Sequence, residues 1–356
     1  MTSIQPIPVS KQPDSKRTAQ RIGWLGPILL ATVIILLALP LSALLWVATL
    51  DWQDPIAALP RPAGSGTVER LFETTDNGRI VTDWQLMDEA VGKVTFVVDR
   101  PQPPDTGLSA AGNTPVPTII LLGGAPKGRQ ALAFMPAVGE NAVVSLDWPM
   151  PIPDEMPRSW GLLPEAPALR RDILSAPGQI AAVYDWLSAQ DWVDRDRISL
   201  VGVSLGAMIA PSAQFLIEEA SAADKPLAAS LLAFGGVDIP AMIEANPALG
   251  NSPWLRDNPS RLAWLGWLAG KMLAPIEPAH YLPRLNGQFL VVTASRDGVI
   301  PKASAERMIA LTPEPKDMVA ITGGHIGPDP ETPRILRTLS GIATGWMLGL
   351  DVVNPP

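Results

Sequence analysis

Apolar positions in this chain fall into short unbroken runs separated by amphipathic stretches, with one much longer uncharged run ahead of them. Thr118–Leu122, Ala142–Leu146, Ile198–Val203, Leu227–Phe234, Phe289–Thr293 and Met318–Ile321 are brief and apolar and read as strands, Thr118–Leu122 being of the kind buried on both faces of a parallel sheet. Between them, Ile180, Val183, Tyr184 and Leu187 share one face of a helix predicted over Ser175–Gln190, and Leu205–Ala220 and Ile335–Leu348 read as further helices. Pro211 lies inside the second of these and predicts a kink or break. Val68–Leu71, Arg79–Leu86 and Lys93–Val98 read as edge strands, the first two joined by an Asn77-Gly78 hairpin turn. Strands alternating with helices predict an α/β fold: a mostly parallel central sheet with helices on both faces. Ile239–Leu285, with Trp254, Trp264 and Trp267, is inserted between two strands. It reads either as a cap over a site or as a peripheral helix pair.

The long run is Ile22–Leu50, which holds no charged residue. Its core, Ile28–Val47, would extend about 30 Å as helix, the hydrocarbon thickness of a bilayer. Trp24, Trp46 and Trp52 stand near its ends, where indoles favour the interface. Lys11, Lys16, Arg17 and Arg21 precede it, whereas Asp51 and Asp54 follow. That asymmetry predicts a single-pass membrane protein with its N-terminus in the cytoplasm and the remainder periplasmic or extracellular. A cleaved signal peptide is the rival reading, but its apolar region is usually shorter. The expected organisation is a tail at 1–21, a transmembrane helix at 22–50, a linker at 51–67 and a catalytic domain at 68–350 with a cap-like insertion at 239–285.

Composition narrows the chemistry. The 356 residues carry a net charge of −8 and no basic cluster beyond the first twenty-odd positions, which disfavours nucleic acid as a partner. No Cys is present and His occurs only at 280 and 325, so thiolate or His-rich metal sites and a Cys nucleophile are excluded. No phosphate loop or dinucleotide fingerprint appears.

Gly202-Val203-Ser204-Leu205-Gly206 follows an apolar strand and opens a helix. A strand–turn–helix holding Gly-x-Ser-x-Gly lifts the serine hydroxyl clear of the sheet. Asp297 directly follows the Phe289–Thr293 strand, and His325 follows the last one. Groups at the carboxyl ends of parallel strands gather on one rim. His325 would take the Ser204 proton, and Asp297 would orient and stabilise the imidazolium. Asp238, ending the preceding strand, is the reserve acid. An oxyanion would be held by the Leu205 amide and by an amide at Gly124 or Ala125, after the Thr118–Leu122 strand.

With these residues the chain resembles the α/β-hydrolase superfamily over about Val68–Leu350. Asp185-Trp186-Leu187, Val193-Asp194, Arg197-Ile198 and the Ser204 motif, with Ser295-Arg296-Asp297 and Ile300-Pro301, are similar to its dienelactone-hydrolase and acyl-peptidase-like branch. The resemblance implies hydrolysis of esters, thioesters or peptides through an acyl-enzyme without a cofactor. The expected function is a membrane-anchored serine hydrolase acting on a small-molecule carboxylic ester with an apolar part. A peptidase of the same fold and a catalytically silent binding module at the membrane are the alternatives.

Overall fold

The computed structural model describes residues 41–42, 45–50, 52–103, 114–124, 128–134, 138–150, 166–221, 227–250, 252–327 and 329–355. The chain divides after Trp52, and Gln53–Pro356 forms one compact unit. Of the expected membrane helix at 22–50, only 41–42 and 45–50 are described, and they are helical. Among the described residues no helix is long and apolar enough to cross a membrane. The expected tail at 1–21 lies outside the described residues.

Nine strands form a single sheet in the order β1-β2-β3-β5-β4-β6-β7-β8-β9. They are β1 (Thr67–Asp76), β2 (Arg79–Asp88), β3 (Gly92–Pro101), β4 (Val116–Leu122), β5 (Ala142–Leu146), β6 (Val193–Val203), β7 (Ala229–Ala233), β8 (Phe289–Ala294) and β9 (Lys316–Ile321). β1, β2 and β3 pair antiparallel, and β3 joins β5 antiparallel. Every pairing from β5 through β4 to β9 is parallel. The sheet is therefore mostly parallel, as the short apolar runs predict. Ile120, Val144, Leu200 and Val292 are fully buried, each worth about 1.5–3 kcal/mol relative to exposure.

The helices are α1 (Ala166–Ser188), α2 (Leu205–Ala220), α3 (Ile239–Ala245), α4 (Pro259–Leu273), α5 (Lys302–Leu311) and α6 (Thr332–Gly349). Two four-residue helical turns stand between α3 and α4. One apolar layer packs α1, α2 and residues 276–285 onto one sheet face. The other packs Ile335, Leu339 and Met347 of α6, with Val352 and Val353, onto Ile119, Leu121, Val143 and Val201. Beneath that second layer, Asn354 is clasped by Asn141. Its amide donates to Asn141 Oδ1 (2.7 Å), and Asn141 Nδ2 donates back to the Asn354 carbonyl (2.9 Å).

Three local expectations are corrected. α2 runs unbroken through Pro211, although proline removes the donor for the Ala207 carbonyl and costs about 3 kcal/mol in a helix interior. Ala210, Pro211, Ser212 and Ala213 are all buried, and that packing holds the helix. α1 begins at Ala166 rather than Ser175 and passes Pro177 on the way. The 51–67 stretch is not a free spacer: Leu59 is buried in the main core, Arg61 pairs with Glu219 at 2.7 Å, and the Ala63 amide donates to Asp88.

Candidate active site

Ser204 stands between β6 and α2 with φ 55° and ψ −115°, a strained conformation for a residue with a side chain. Close packing enforces the turn. A Cβ on Gly206 would lie 2.2 Å from the Leu122 carbonyl oxygen, and one on Gly202 would lie 2.6 Å from the Gly206 oxygen. The Ser204 amide donates to the Ala233 carbonyl at 2.8 Å, tying the turn to β7.

His325 lies on the loop after β9, and its Nε2 is 2.8 Å from Ser204 Oγ. His325 Nδ1 is 2.9 Å from Asp297 Oδ2. Both side chains are nearly buried, at 10% and 8% exposure, so water competes little with the pair. Asp297 Oδ1 accepts from the Val299 and Ile300 amides, each at 2.8 Å. Burial pushes the Asp297 carboxyl upward, but the hydrogen bond and charge of His325 and the two amides outweigh it and hold the group below the usual carboxylate range. In the tautomer that donates Nδ1–H to the carboxylate, Nε2 can accept a hydrogen bond from the Ser204 hydroxyl.

The structure thus brings Ser204, Asp297 and His325 together from three strand ends. Asp238 is engaged elsewhere: its side chain accepts from the Ala241 amide at the start of α3, and its own amide donates to Glu277. A Cβ on Gly124 would lie 3.2 Å from Ser204 Cβ and 3.6 Å from Oγ, so its backbone borders the nucleophile. Leu205 opens α2, and its amide is one of the donors that a helix N-terminus leaves without an internal acceptor. Ala125, the other expected oxyanion donor, lies outside the described residues.

Several supports were not foreseen in the sequence. Phe234, buried at the end of β7 with φ 54°, sets its ring edge-on to the His325 imidazole at 6.2 Å. An aromatic beside a Gly-Gly pair at a strand end is the one mark it leaves in the sequence. The Ser295 and Arg296 amides donate to the Ile321 and Gly323 carbonyls at 2.9 Å each, stitching the acid loop to the base loop. Arg334 of α6 reaches the Thr322 carbonyl at 2.9 Å. A cavity of about 340 Å³ opens between α5 and β8, bordered by Phe234, Asp297 and Ile300. It adjoins Asp297 rather than Ser204. Among the described residues no three His, Asp or Glu side chains converge as a metal set.

The 239–285 insertion leaves the sheet beside this rim. α3 and α4 pack against each other, and a Cβ on Gly236 would touch Ile300 of the acid loop and Met242 of α3. The insertion is therefore rooted at the acid loop through α3, while its longest helix lies against α3 and α1.

No known family profile matches the chain. An uncharacterized protein of Mycobacterium tuberculosis, found in two strains, is 29% identical over 149 residues, covering 42% of this chain and 44% of the relative. The matched region thus spans less than half of that relative. Among solved structures, acetyl xylan esterase 1 from Thermoanaerobacterium sp. is 15% identical, with a TM-score of 0.55 over 83% of this chain and 91% of that one. The acetyl xylan esterase from Paenibacillus sp. R4 is 16% identical, with a TM-score of 0.53 over 84% and 93%. These likenesses, with the observed sheet order and the strand–turn–helix at Ser204, show that the chain has the α/β-hydrolase fold.

Proposed function

We propose that the protein is a membrane-anchored serine hydrolase that cleaves carboxylic esters through an acyl-enzyme on Ser204. The observation that carries this reading is the unbroken relay from Ser204 Oγ to His325 Nε2 (2.8 Å) and from His325 Nδ1 to Asp297 (2.9 Å). His325 removes the hydroxyl proton as Oγ attacks the ester carbonyl carbon. The oxyanion would be met by the Leu205 amide and by an amide at Gly124 or Ala125. Collapse expels the alcohol, which takes the proton from His325. Water, deprotonated by the same imidazole, then attacks the acyl-enzyme and releases the acid. No cofactor enters this scheme.

A fluorophosphonate probe tests the reading. Wild type should label on Ser204 between pH 6 and 9, and Ser204→Ala or His325→Ala should abolish labelling. A wild type that never labels would favour a silent binding module. Turnover of p-nitrophenyl esters beside a peptide amide separates an esterase from a peptidase.

The anchor is part of the same proposal. The uncharged 22–50 segment, with basic residues before it and acidic ones after, supports one span that places the catalytic domain in the periplasm or outside the cell. The protein should pellet with membranes and resist carbonate; release by carbonate would count against the span.

A further inference from the structure

Two buried serines of the sheet use their hydroxyls differently. Ser145 of β5 and Ser199 of β6 are both buried, and in register they stand beside Leu121 and Ile119 of β4. Ser199 Oγ has no hydrogen-bond partner among the described residues. Ser145 Oγ donates to the Leu121 carbonyl at 2.8 Å and lies 3.3 Å from the Gly128 carbonyl. The hydroxyl has one proton, and the shorter contact is the better bond.

Those two carbonyls frame the stretch that leaves β4 beside the nucleophile. Leu121 is the penultimate residue of β4, and Gly128 opens a short 3-10 helix, Gly128–Phe134. Gly123 and Gly124 come between, and a Cβ on Gly124 would lie 3.2 Å from Ser204 Cβ. The neck is crowded. A Cβ on Gly123 would lie 2.6 Å from Ala131 Cβ and 3.1 Å from the Gly128 oxygen. Gly128, at φ 43°, would bring its own Cβ to 3.2 Å from the Leu146 carbonyl oxygen of β5. Arg129, the next residue, pairs with Asp147 at 3.2 Å and Asp83 at 3.4 Å. These three side chains are about a third exposed or more, and pairs of that kind contribute little. The buried hydroxyl is the stronger polar constraint, and its bond is directional where packing is not.

We infer that Ser145 is a positioning residue for the oxyanion site. Its hydroxyl pins the end of β4 to β5, so that the Gly124 backbone keeps its place beside Ser204 as charge develops on the ester carbonyl oxygen. The inference rests on the serine-hydrolase reading above. It assigns a role in the chemistry to a side chain that touches neither substrate nor triad.

A matched pair of p-nitrophenyl substrates, an oxoester and its thionoester, tests this role. Sulfur accepts hydrogen bonds weakly, so a displaced oxyanion donor costs the thionoester less than the oxoester. Both are assayed on the full chain, with active sites counted by fluorophosphonate labelling taken to completion. In Ser145→Ala, oxoester kcat should fall about 30-fold and thionoester kcat about threefold, contracting their ratio about tenfold. KM should stay level, because the donor meets charge that exists only in the transition state. Ser145→Cys, close in shape but with a weak S–H donor, should contract the ratio in the same direction. Ser199→Ala deletes a buried hydroxyl without a bond and should leave the ratio at its wild-type value. Equal losses on the two substrates, or an unchanged ratio, would overturn the inference and leave Ser145 a core residue. Failure of the hydrolase reading looks different: a wild type that neither labels nor turns over either ester removes both.

Discussion

The turn at Ser204 and the insertion at 239–285 both belong to the same compact unit, yet they are built by opposite means. In the turn, backbone meets backbone: Gly124, Gly202 and Gly206 stand where a single methyl group would strike Ser204, a neighbouring glycine or Leu122. In the insertion, short helices joined by single turns lean on one another, and α4 leaves two tryptophans exposed. The first tolerates almost no change in shape and fixes reacting atoms. The second is free to vary its outer face, which is where a surface can be matched to a partner.

Breaking the turn should have the largest effect. Ser204→Ala should lower ester kcat by about 10⁶-fold, with the Tm unchanged, as expected for a nucleophile that acts as a unit with its base. Asp297→Asn should cost about 10⁴-fold in kcat, because the tautomer that leaves Nε2 free is no longer enforced. That variant also carries a pH signature. The Asp297 carboxyl lies below its ordinary range in the fold, so its ionised form stabilises the protein at all pH values above the ordinary Asp value of ~3.9. The contribution is lost as pH falls through the lower folded value. The Tm gap between wild type and Asp297→Asn should therefore stay level above about pH 5 and close in stronger acid; a gap that widens in acid would contradict the assignment.

Gly206→Ala should destabilise by about 3 kcal/mol, since its methyl group meets a carbonyl and not a movable side chain; urea melts measure this directly. Gly124→Ala should cost about 10²-fold in kcat with little change in Tm, by shifting backbone beside the hydroxyl. Gly345→Ala, in α6 where no atom lies within 4 Å of the added methyl, should stabilise by up to about 1 kcal/mol. If Gly206 and Gly345 responded alike, the contrast between constrained and open positions would fail.

Legibility in the sequence follows the same division. The turn is readable because its constraint is local: five residues carry both the glycines and the nucleophile. The inner parallel strands are readable because strands covered on both faces must be continuously apolar, whereas β9, at the edge, leaves Met318 exposed. Asp297 and His325 are readable as strand-end residues, although their meeting depends on the β7-β8-β9 order, which no short stretch encodes. Phe234 and the Ser295–Ile321 and Arg296–Gly323 hydrogen bonds escape notice because they arise only once three loops converge. Pro211 misleads because local propensity speaks against a helix that burial sustains. The insertion is the least legible part, since its helices are set by contacts with one another.

The second apolar layer has a consequence for biosynthesis. Ile119, Leu121, Val143 and Val201 come from the first three parallel strands, but their cover comes from α6 and residues 352–353, and the Asn141–Asn354 clasp joins positions 213 apart. A nascent chain lacking residues after about 330 would present an oily sheet face to its surroundings. Completion of that side must await emergence of α6 from the ribosome, and a chaperone arriving earlier would find its target there.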